Sequence, residues 1–346
     1  MPKIYKILVV DDSKVIRRKI SELIESCEDM TVIGEAESGE SALRMIPQLS
    51  PDVVTLDINM PGMNGLTTLK HIMLNSPVAT VMLSSLTREG ALVTFDALRY
   101  GSIDFVFKPT QLEGEFAAEQ KQRLLTKIRL ASLVKIDAIQ YIRAKQTPKS
   151  PIPTHSSCQK IVVLGVAEGG YSSLLKIIPK LAVNSSTAYM VILYEASQDV
   201  KAFTHYLNRY SKIPVTHASN NTLLKAGVCY INSGEEYVTV HEDQGDLISY
   251  VSQAPFSSQR GSINMLMFSV AEVLTDRAAG VILSGAGSDG SEGLEEITRV
   301  GGLAIIQSPR TCLYKEMALA ALDVCEAEQV MSDSEIASQL TTILDD

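Results

Sequence analysis

Two hydrophobic patterns alternate along the first 110 residues, and together they predict a parallel α/β domain. Five short segments are almost continuously apolar; in chain order they read KILVV, TVIGEA, DVVTLD, ATVMLSS and DFVFKP. Between them lie amphipathic segments, such as residues 15–24 and 41–49, in which apolar residues recur at helical spacing. Strands that are apolar on both faces and alternate with helices indicate a parallel sheet covered by helices on each side.

A second alternation of the same kind begins near residue 159. Its apolar segments read KIVVLG, AYMVILY, AGVCYI, AAGVILSG and GLAIIQ. Residues 112–145 are helical in pattern and basic, and the proline-rich stretch KQTPKSPIPTHSS follows them. We therefore predict a first α/β domain over 1–125, a linker over 126–158 that starts as a basic helix, and a second doubly wound, mainly parallel, Rossmann-like α/β domain over 159–346.

Composition and charge exclude several classes of function. Hydrophobic residues make up 45% of the chain and charged residues 21%, and no apolar run approaches the ~18–20 residues of a membrane-spanning helix. Residues 159–346 carry 12 basic and 22 acidic groups, which argues against a nucleic-acid partner. The five cysteines are scattered without CxxC spacing, which favours a reducing cytoplasmic location over a disulfide framework or a metal cluster.

The predicted strands of the first domain end in groups of opposite charge. Asp11 and Asp12 follow the first strand, Asp57 ends the third, and Lys108 follows the fifth. Ligand sites of open parallel sheets form at this edge, so we expect these groups to converge. Neighbouring carboxylates need a cation, and Mg²⁺ held by oxygens would also neutralise a phosphoryl group. Ser84, at the end of the fourth strand, offers a hydroxyl to a phosphoryl oxygen.

These groups lie in motifs that resemble the receiver domain of two-component response regulators. The segments LVVDDS, TLDINMPGMNG, MLSSLT and FVFKP occur in the order that this family has. The resemblance implies a flavodoxin-like (βα)5 fold for the first domain. It also implies that Asp57 is the phospho-acceptor and that a sensor histidine kinase of the chemotaxis type is the partner.

The same resemblance assigns roles to the residues around Asp57. It implies that Asp12, Asp57 and the backbone carbonyl of Asn59 hold Mg²⁺, with Asp11 assisting. It further implies three phosphoryl-binding or switch residues, which are Ser84, Lys108 and the aromatic Phe105.

Two glycine-rich turns mark the second domain. KIVVLGVAEGGYSSLL is a strand, a turn and an amphipathic helix, which is typical of a phosphate cradle or a nucleophile turn. LSGAGSDGSEGL matches G-x-G-x-x-G through Gly285, Gly287 and Gly290, so a dinucleotide site is an alternative. The next strand ends in Gln307 instead of the acidic residue that such a site uses, which disfavours this cofactor.

Together with KAFTHYLNR, INMLMFSVAEVL and GGLAIIQSPRTCLYKEMALAAL, these turns are similar to the C-terminal domain of chemotaxis protein-glutamate methylesterases. That family hydrolyses glutamate methyl esters and deamidates glutamines on chemoreceptors with a Ser-His-Asp triad. Its serine lies in a G-x-S-T-G-G turn, whereas here Ala167 occupies that position and Glu168 follows. The histidine position falls on Tyr194, or on Glu195 if the alignment shifts by one. Only Asp289 matches the family.

Two hypotheses follow from these departures. Alanine has no nucleophilic oxygen, tyrosine with an ordinary pKa near ~10 is a poor base at neutral pH, and Glu168 would repel an oxyanion. We therefore expect a phosphorylation-controlled regulator that binds chemoreceptors or other chemotaxis proteins, with Asp289 kept as a loop-capping carboxylate. The alternative is an active methylesterase and deamidase with a rearranged site. A phosphate sink would need only the first domain. None of these requires nucleic acid or membrane insertion.

Overall fold

The computed structural model describes residues 3–84, 88–108, 115–134, 158–182, 186–253, 261–325 and 329–342. The chain divides into two units, Met1–Arg143 and Ala144–Asp346. Among the helices in the described ranges, none combines the length and the apolar character that crossing a membrane requires.

A five-stranded parallel sheet forms the centre of the first unit. Its strands are β1 (Tyr5–Val10), β2 (Met30–Ala36), β3 (Val53–Asp57), β4 (Ala79–Ser84) and β5 (Asp104–Phe107). The helices are α1 (Lys14–Glu25), α2 (Gly39–Leu49), α3 (Gly65–Asn75), α4 (Arg88–Arg99) and α5 (Glu115–Ala131). The strand order β2-β1-β3-β4-β5 is that of flavodoxin-like folds, which confirms the predicted fold class.

Apolar strands and polar helix caps explain where these elements lie. Every residue of β3 and β4 is buried, as expected for strands that are covered on both faces. The helices α1, α2 and α3 begin after Ser13, Ser38 and Asn64, whose side-chain oxygens each accept an N–H group of the first turn. The helices predicted over 15–24 and 41–49 correspond to α1 and α2, with ends that differ by at most two residues.

Helix α5 crosses the predicted end of the first domain at residue 125. Ile128 and Ala131 are fully buried, and Lys127 forms an ion pair with Asp104 of β5. Residues 126–131 therefore pack on the first sheet. Their basic amphipathic pattern suits a helix that covers a sheet as well as a linker helix, so the pattern alone does not distinguish the two. Residues 135–157, which make up most of the predicted linker, lie outside the described residues.

The second unit has a larger parallel sheet. Its seven strands are β6 (Lys160–Val166), β7 (Thr187–Leu193), β8 (Val215–Thr216), β10 (Cys229–Ser233), β13 (Ala278–Ile282), β14 (Leu303–Gln307) and β15 (Gln329–Met331). Their order is β15-β14-β13-β6-β7-β10-β8. The chain moves from β6 first to one side and later to the other, so the carboxyl ends of β6 and β13 form a topological switch point.

The described residues of this unit form six α-helices: α6 (Gly170–Ile177), α7 (Ser197–Tyr210), α8 (Ser262–Leu274), α9 (Ser291–Arg299), α10 (Glu316–Val324) and α11 (Asp333–Thr342). Helix α8 packs on β6 and β13, and its side chains Ile263, Leu266 and Val270 are fully buried in the apolar core. Helix α8 thus forms part of the apolar core against the two strands that border the switch point.

Three further strands form a separate antiparallel sheet, which the apolar segments did not predict. They are β9 (Thr222–Leu223), β11 (Glu236–Asp243) and β12 (Asp246–Gln253), in the order β11-β12-β9. In β11 the first five residues alternate between full and partial burial, so the strand lacks the continuous apolar run of a buried parallel strand. Gln244 and Gly245 join β11 and β12 with φ angles of 53° and 88°, the conformation of a tight hairpin turn.

Candidate functional sites

An acidic pocket forms at the carboxyl ends of β1, β3 and β5. Oxygen atoms of Asp11, Asp12 and Asp57 lie within 4.8 Å of one another. The Lys108 ammonium lies 2.7 Å from Asp11 Oδ2 and 2.8 Å from Asp57 Oδ2. Asp11 and Asp57 are buried, whereas Asp12 is exposed. The fold thus brings together the four charged groups that the strand ends were expected to gather.

Burial alters the proton affinities in this pocket. It raises the pKa of the Asp57 carboxyl above its ordinary value, and contact with Lys108 offsets this only in part. Burial alone would lower the pKa of Lys108, but its hydrogen bonds with Asp11 and Asp57 outweigh this and raise it. Three carboxylates beside one ammonium leave an excess of negative charge, which a divalent cation with oxygen ligands balances.

Backbone contacts fix the loops of the acidic pocket. The N–H of Asn59 donates to Asp57 Oδ1 at 3.1 Å. The buried guanidinium of Arg17 donates to the backbone carbonyls of Asp11 and Asp12, at 2.6 and 3.2 Å. No sequence motif singles out Arg17, because a cation in the first turn of an amphipathic helix normally faces water.

The other two predicted phosphoryl-binding or switch residues lie next to helix α4. Ser84 ends β4, is fully buried, and accepts a hydrogen bond of 2.9 Å from the hydroxyl of Thr94. Phe105 of β5 is also buried, and its ring packs edge-on against Phe95 with 5.6 Å between the ring centroids. Adjacent residues of α4 therefore contact Ser84 and Phe105, a connection that the sequence motifs did not reveal.

A second candidate site lies at the switch point between β6 and β13. Ala167 directly follows β6, is 1% exposed, and donates its N–H to the carbonyl of Ser284 at 3.1 Å. A Cβ atom on Gly285 would lie 2.6 Å from the Ala167 methyl carbon, so the two loops are in close contact. The position expected for a nucleophile thus holds a methyl group in a packed interface.

The two other triad positions meet in one hydrogen-bonded pair. The Tyr194 hydroxyl donates to Asp289 Oδ2 at 2.5 Å, so of the two alternatives for the histidine position it is Tyr194 that contacts Asp289. Burial and the neighbouring Asp289 carboxylate raise the pKa of Tyr194 above its ordinary value. The hydroxyl therefore keeps its proton at neutral pH.

This pair caps the N-terminus of helix α8. Tyr194 accepts two backbone N–H groups at 2.8 and 3.0 Å, and Asp289 accepts two more at 3.0 and 3.1 Å. The four donors, in chain order, belong to Gly261, Ser262, Ile263 and Asn264. The first N–H groups of a helix have no intrahelical acceptor and favour negative charge nearby. Asp289 thus caps a helix whose N-terminus is 25–26 residues away in the chain, instead of its own loop as the sequence suggested.

Glu168 accepts a hydrogen bond from a backbone N–H group of the glycine-rich loop after β13. Its carboxylate accepts the backbone N–H of Ala286 at 3.1 Å, and its carbonyl accepts the hydroxyl of Ser284 at 3.1 Å. A backbone N–H beside a nucleophile turn is the kind of group that stabilises an oxyanion. Here a carboxylate of the same chain is already bound to it.

Gln307 has a structural role at the end of β14. Its side-chain oxygen accepts the Ser284 N–H at 3.0 Å and the hydroxyl of Ser173 in α6 at 3.1 Å. It is fully buried and ties the two glycine-rich turns together. These contacts account for Gln307 without a nucleotide.

Comparison with known proteins agrees with both folds. The sequence profile of the CheB methylesterase family matches residues 162–340, and that of the response regulator receiver domain matches residues 7–118. A receiver domain followed by a methylesterase domain defines the chain as a chemotaxis-type response regulator. The chain belongs to the CheB methylesterase family, as the resemblance implied.

Relatives match along nearly the whole chain. A protein-glutamate methylesterase/protein-glutamine glutaminase of Pyrococcus abyssi is 32% identical over 335 residues, which are 94% of this chain and 90% of that protein. A protein of the same name from Caldanaerobacter subterraneus subsp. tengcongensis is 34% identical over 344 residues, with coverage of 95% and 94%. The crystal structure of the Thermotoga maritima CheB methylesterase catalytic domain matches 53% of this chain and 98% of its own, at 25% identity and a TM-score of 0.51.

Proposed function

We propose that the chain is a phosphorylation-controlled chemotaxis regulator in which Asp57 accepts the phosphoryl group and the second domain acts by binding, without hydrolysis. The observation that carries the proposal is the contact between Tyr194 and Asp289, which uses both remaining polar triad positions to cap helix α8.

Phosphoryl transfer to Asp57 uses the charges of the acidic pocket. The donor is the phosphohistidine of a sensor histidine kinase of the chemotaxis type. A carboxylate oxygen of Asp57 attacks phosphorus, the new O–P bond replaces the N–P bond, and the imidazole nitrogen keeps the electron pair. Lys108 stabilises the negative phosphoryl oxygens, and the Ser84 hydroxyl donates a hydrogen bond to one of them. Phe105 acts as the aromatic switch residue.

The carboxylates of the pocket suit Mg²⁺. Their closely spaced oxygens are the hard ligands that this ion prefers, and their combined charge exceeds what Lys108 balances. The ligands in this proposal are Asp11, Asp12, Asp57 and the backbone carbonyl of Asn59. When bound, the ion neutralises charge on the incoming phosphoryl group.

Three features of the second domain oppose acyl transfer. Ala167 offers no oxygen for attack on a carbonyl carbon. The Tyr194 hydroxyl is held by Asp289 and by two backbone N–H groups, so it is not available to accept a proton. The Glu168 carboxylate takes up the Ala286 N–H and adds negative charge where an oxyanion would form. The retained scaffold supports an output by binding to chemoreceptors or other chemotaxis proteins.

The experiment measures phosphorylation and binding of the full chain together. With a small-molecule phosphodonor and Mg²⁺, intact-mass analysis should show one phosphoryl group on the wild type and none on D57N. Vesicles that contain chemoreceptors should then retain the phosphorylated wild type more strongly than D57N. Equal retention of the two proteins, or phosphorylation of D57N, would contradict the proposal.

A further inference from the structure

The hydroxyl of Thr94 links helix α4 to the phosphoryl-binding edge of the first sheet. Thr94 and Ser84 are both fully buried, and Thr94 donates its hydrogen bond to the Ser84 oxygen at 2.9 Å. Ser84 follows Leu83, which is paired with Asp57 in the parallel register of β4 and β3. A side chain of α4 therefore reaches the residue that borders the phospho-acceptor strand.

The direction of this hydrogen bond has a chemical consequence. A hydroxyl oxygen that accepts a hydrogen bond from one neighbour can donate its own O–H to another acceptor. Each hydrogen bond of such a chain strengthens the next. The hydrogen bond from Thr94 holds the Ser84 oxygen at the end of β4, next to the strand that carries Asp57. A phosphoryl oxygen on Asp57 is an ionised acceptor, which forms shorter and stronger hydrogen bonds than a neutral one.

The next residue of α4 contacts the proposed aromatic switch. Phe95 meets Phe105 edge-on, at 5.6 Å and an interplanar angle of 87°. The Lys127 ammonium of α5 lies 5.2 Å from the centre of the Phe105 ring and 3.0 Å from Asp104 Oδ1. A displacement of Thr94 therefore moves Phe95 with it, and Phe105 lies between that helix and α5.

We propose that Thr94 is a positioning residue for phosphoryl transfer to Asp57. Its donated hydrogen bond orients the Ser84 hydroxyl towards the phosphoryl group, and it couples the engagement of Ser84 to α4 and to the Phe95–Phe105 contact. This inference rests on the proposed phosphorylation of Asp57.

The test compares two substitutions of Thr94 in the full chain. T94V keeps the shape of the side chain and removes the hydroxyl, whereas T94S keeps the hydroxyl. We expect T94V to lower the rate constant of phosphorylation by acetyl phosphate roughly tenfold, and T94S to remain within about threefold of the wild type. Thermal unfolding of each variant reports whether it is folded.

A double-mutant cycle separates positioning from a general structural effect. If Thr94 acts through Ser84, T94V should have little effect on the rate in the S84A background. Fluorine NMR of fluorophenylalanine-labelled protein supplies a second readout, with the Phe95 signal assigned by F95L. We expect phosphorylation to shift this signal in the wild type and T94S, and to shift it less in T94V.

Each outcome of these measurements has a distinct meaning. Equal rates for T94V and the wild type would overturn the role of Thr94 while leaving phosphorylation of Asp57 intact. So would a tenfold effect of T94V that persists in the S84A background. Failure of the wild type to take up a phosphoryl group that D57N lacks would overturn the proposed function, and the role of Thr94 with it.

Discussion

At the scale of single residues, the position that the family resemblance gives to a histidine holds a tyrosine packed against a glycine. The ring of Tyr194 lies so close to Gly234 that any Cβ atom there would overlap it. A ring at the histidine position therefore depends on a glycine just after β10. The sequence could not indicate Gly234 for this role, because the requirement for space appears only once β7 and β10 are neighbours in the sheet.

Removing the Tyr194 hydroxyl should weaken the fold at this site. Y194F leaves two backbone N–H groups of the α8 N-terminus and one carboxylate oxygen without this partner. A buried polar group that loses its hydrogen bond costs about 1–3 kcal/mol, so we expect a loss of that size in the free energy of unfolding. Urea titration measures it, with Y250F at an exposed tyrosine as the control. Equal stability of Y194F and Y250F would contradict the capping role.

The same hydroxyl should make stability depend on alkaline pH. Its pKa is raised in the folded state, so above about pH 10 the unfolded chain releases this proton while the folded chain keeps it. The contribution of Tyr194 is thus complete below the ordinary tyrosine pKa and is lost as the pH rises above it. Unfolding free energies between about pH 9 and 11 should fall more steeply for the wild type than for Y194F. Parallel curves would contradict the assignment.

Gly65 and Arg17 differ in how far the sequence indicated them. The PGMNG motif predicts a tight turn after Asp57, and the structure gives the reason for its last glycine. A Cβ on Gly65 would overlap the Asp57 carbonyl. No motif indicated Arg17, since its part in the acidic pocket depends on two backbone carbonyls of a neighbouring loop.

At the scale of elements, continuous apolar runs were the most reliable signal. They predicted each strand of the first sheet, because a strand buried on both faces has no polar alternation to obscure it. The hairpin of β11 and β12 was missed for the opposite reason, since its partly exposed strands alternate. The assignment of residues 126–131 to a linker helix rested on their charge, yet in the structure Lys127 is buried against β5.

The ion pair between α5 and β5 should contribute measurably to stability. Lys127 Nζ lies 3.0 Å from Asp104 Oδ1, and both side chains are less than a tenth exposed. Removing one partner of a buried pair leaves the other charge uncompensated, so K127M should lose about 3–5 kcal/mol of unfolding free energy. The exposed substitution K14M serves as the control. A smaller loss for D104N/K127M than for K127M would identify the charge as the cause; equal effects of K127M and K14M would contradict it.

At the scale of the whole molecule, each candidate site lies at a topological switch point, where the strand order of a parallel sheet reverses. The acidic pocket lies at the ends of β1 and β3, and Ala167, Tyr194 and Asp289 lie beyond the ends of β6, β7 and β13. Strand ends and glycine-rich turns indicated these places from the sequence. The contact that Glu168 makes with Ala286 could not be predicted, because it joins loops 118 residues apart that only the strand order brings together.

The most direct test of the central claim is release of methanol and ammonia from methylated and amidated chemoreceptors. We expect the phosphorylated wild type to release neither above the background without protein. A167S/E168T/Y194H, which returns three positions to the pattern of the family, should release methanol, with A167S alone as its matched control. Clear turnover by the unmodified protein would contradict a binding output and favour an active methylesterase and deamidase with a rearranged site.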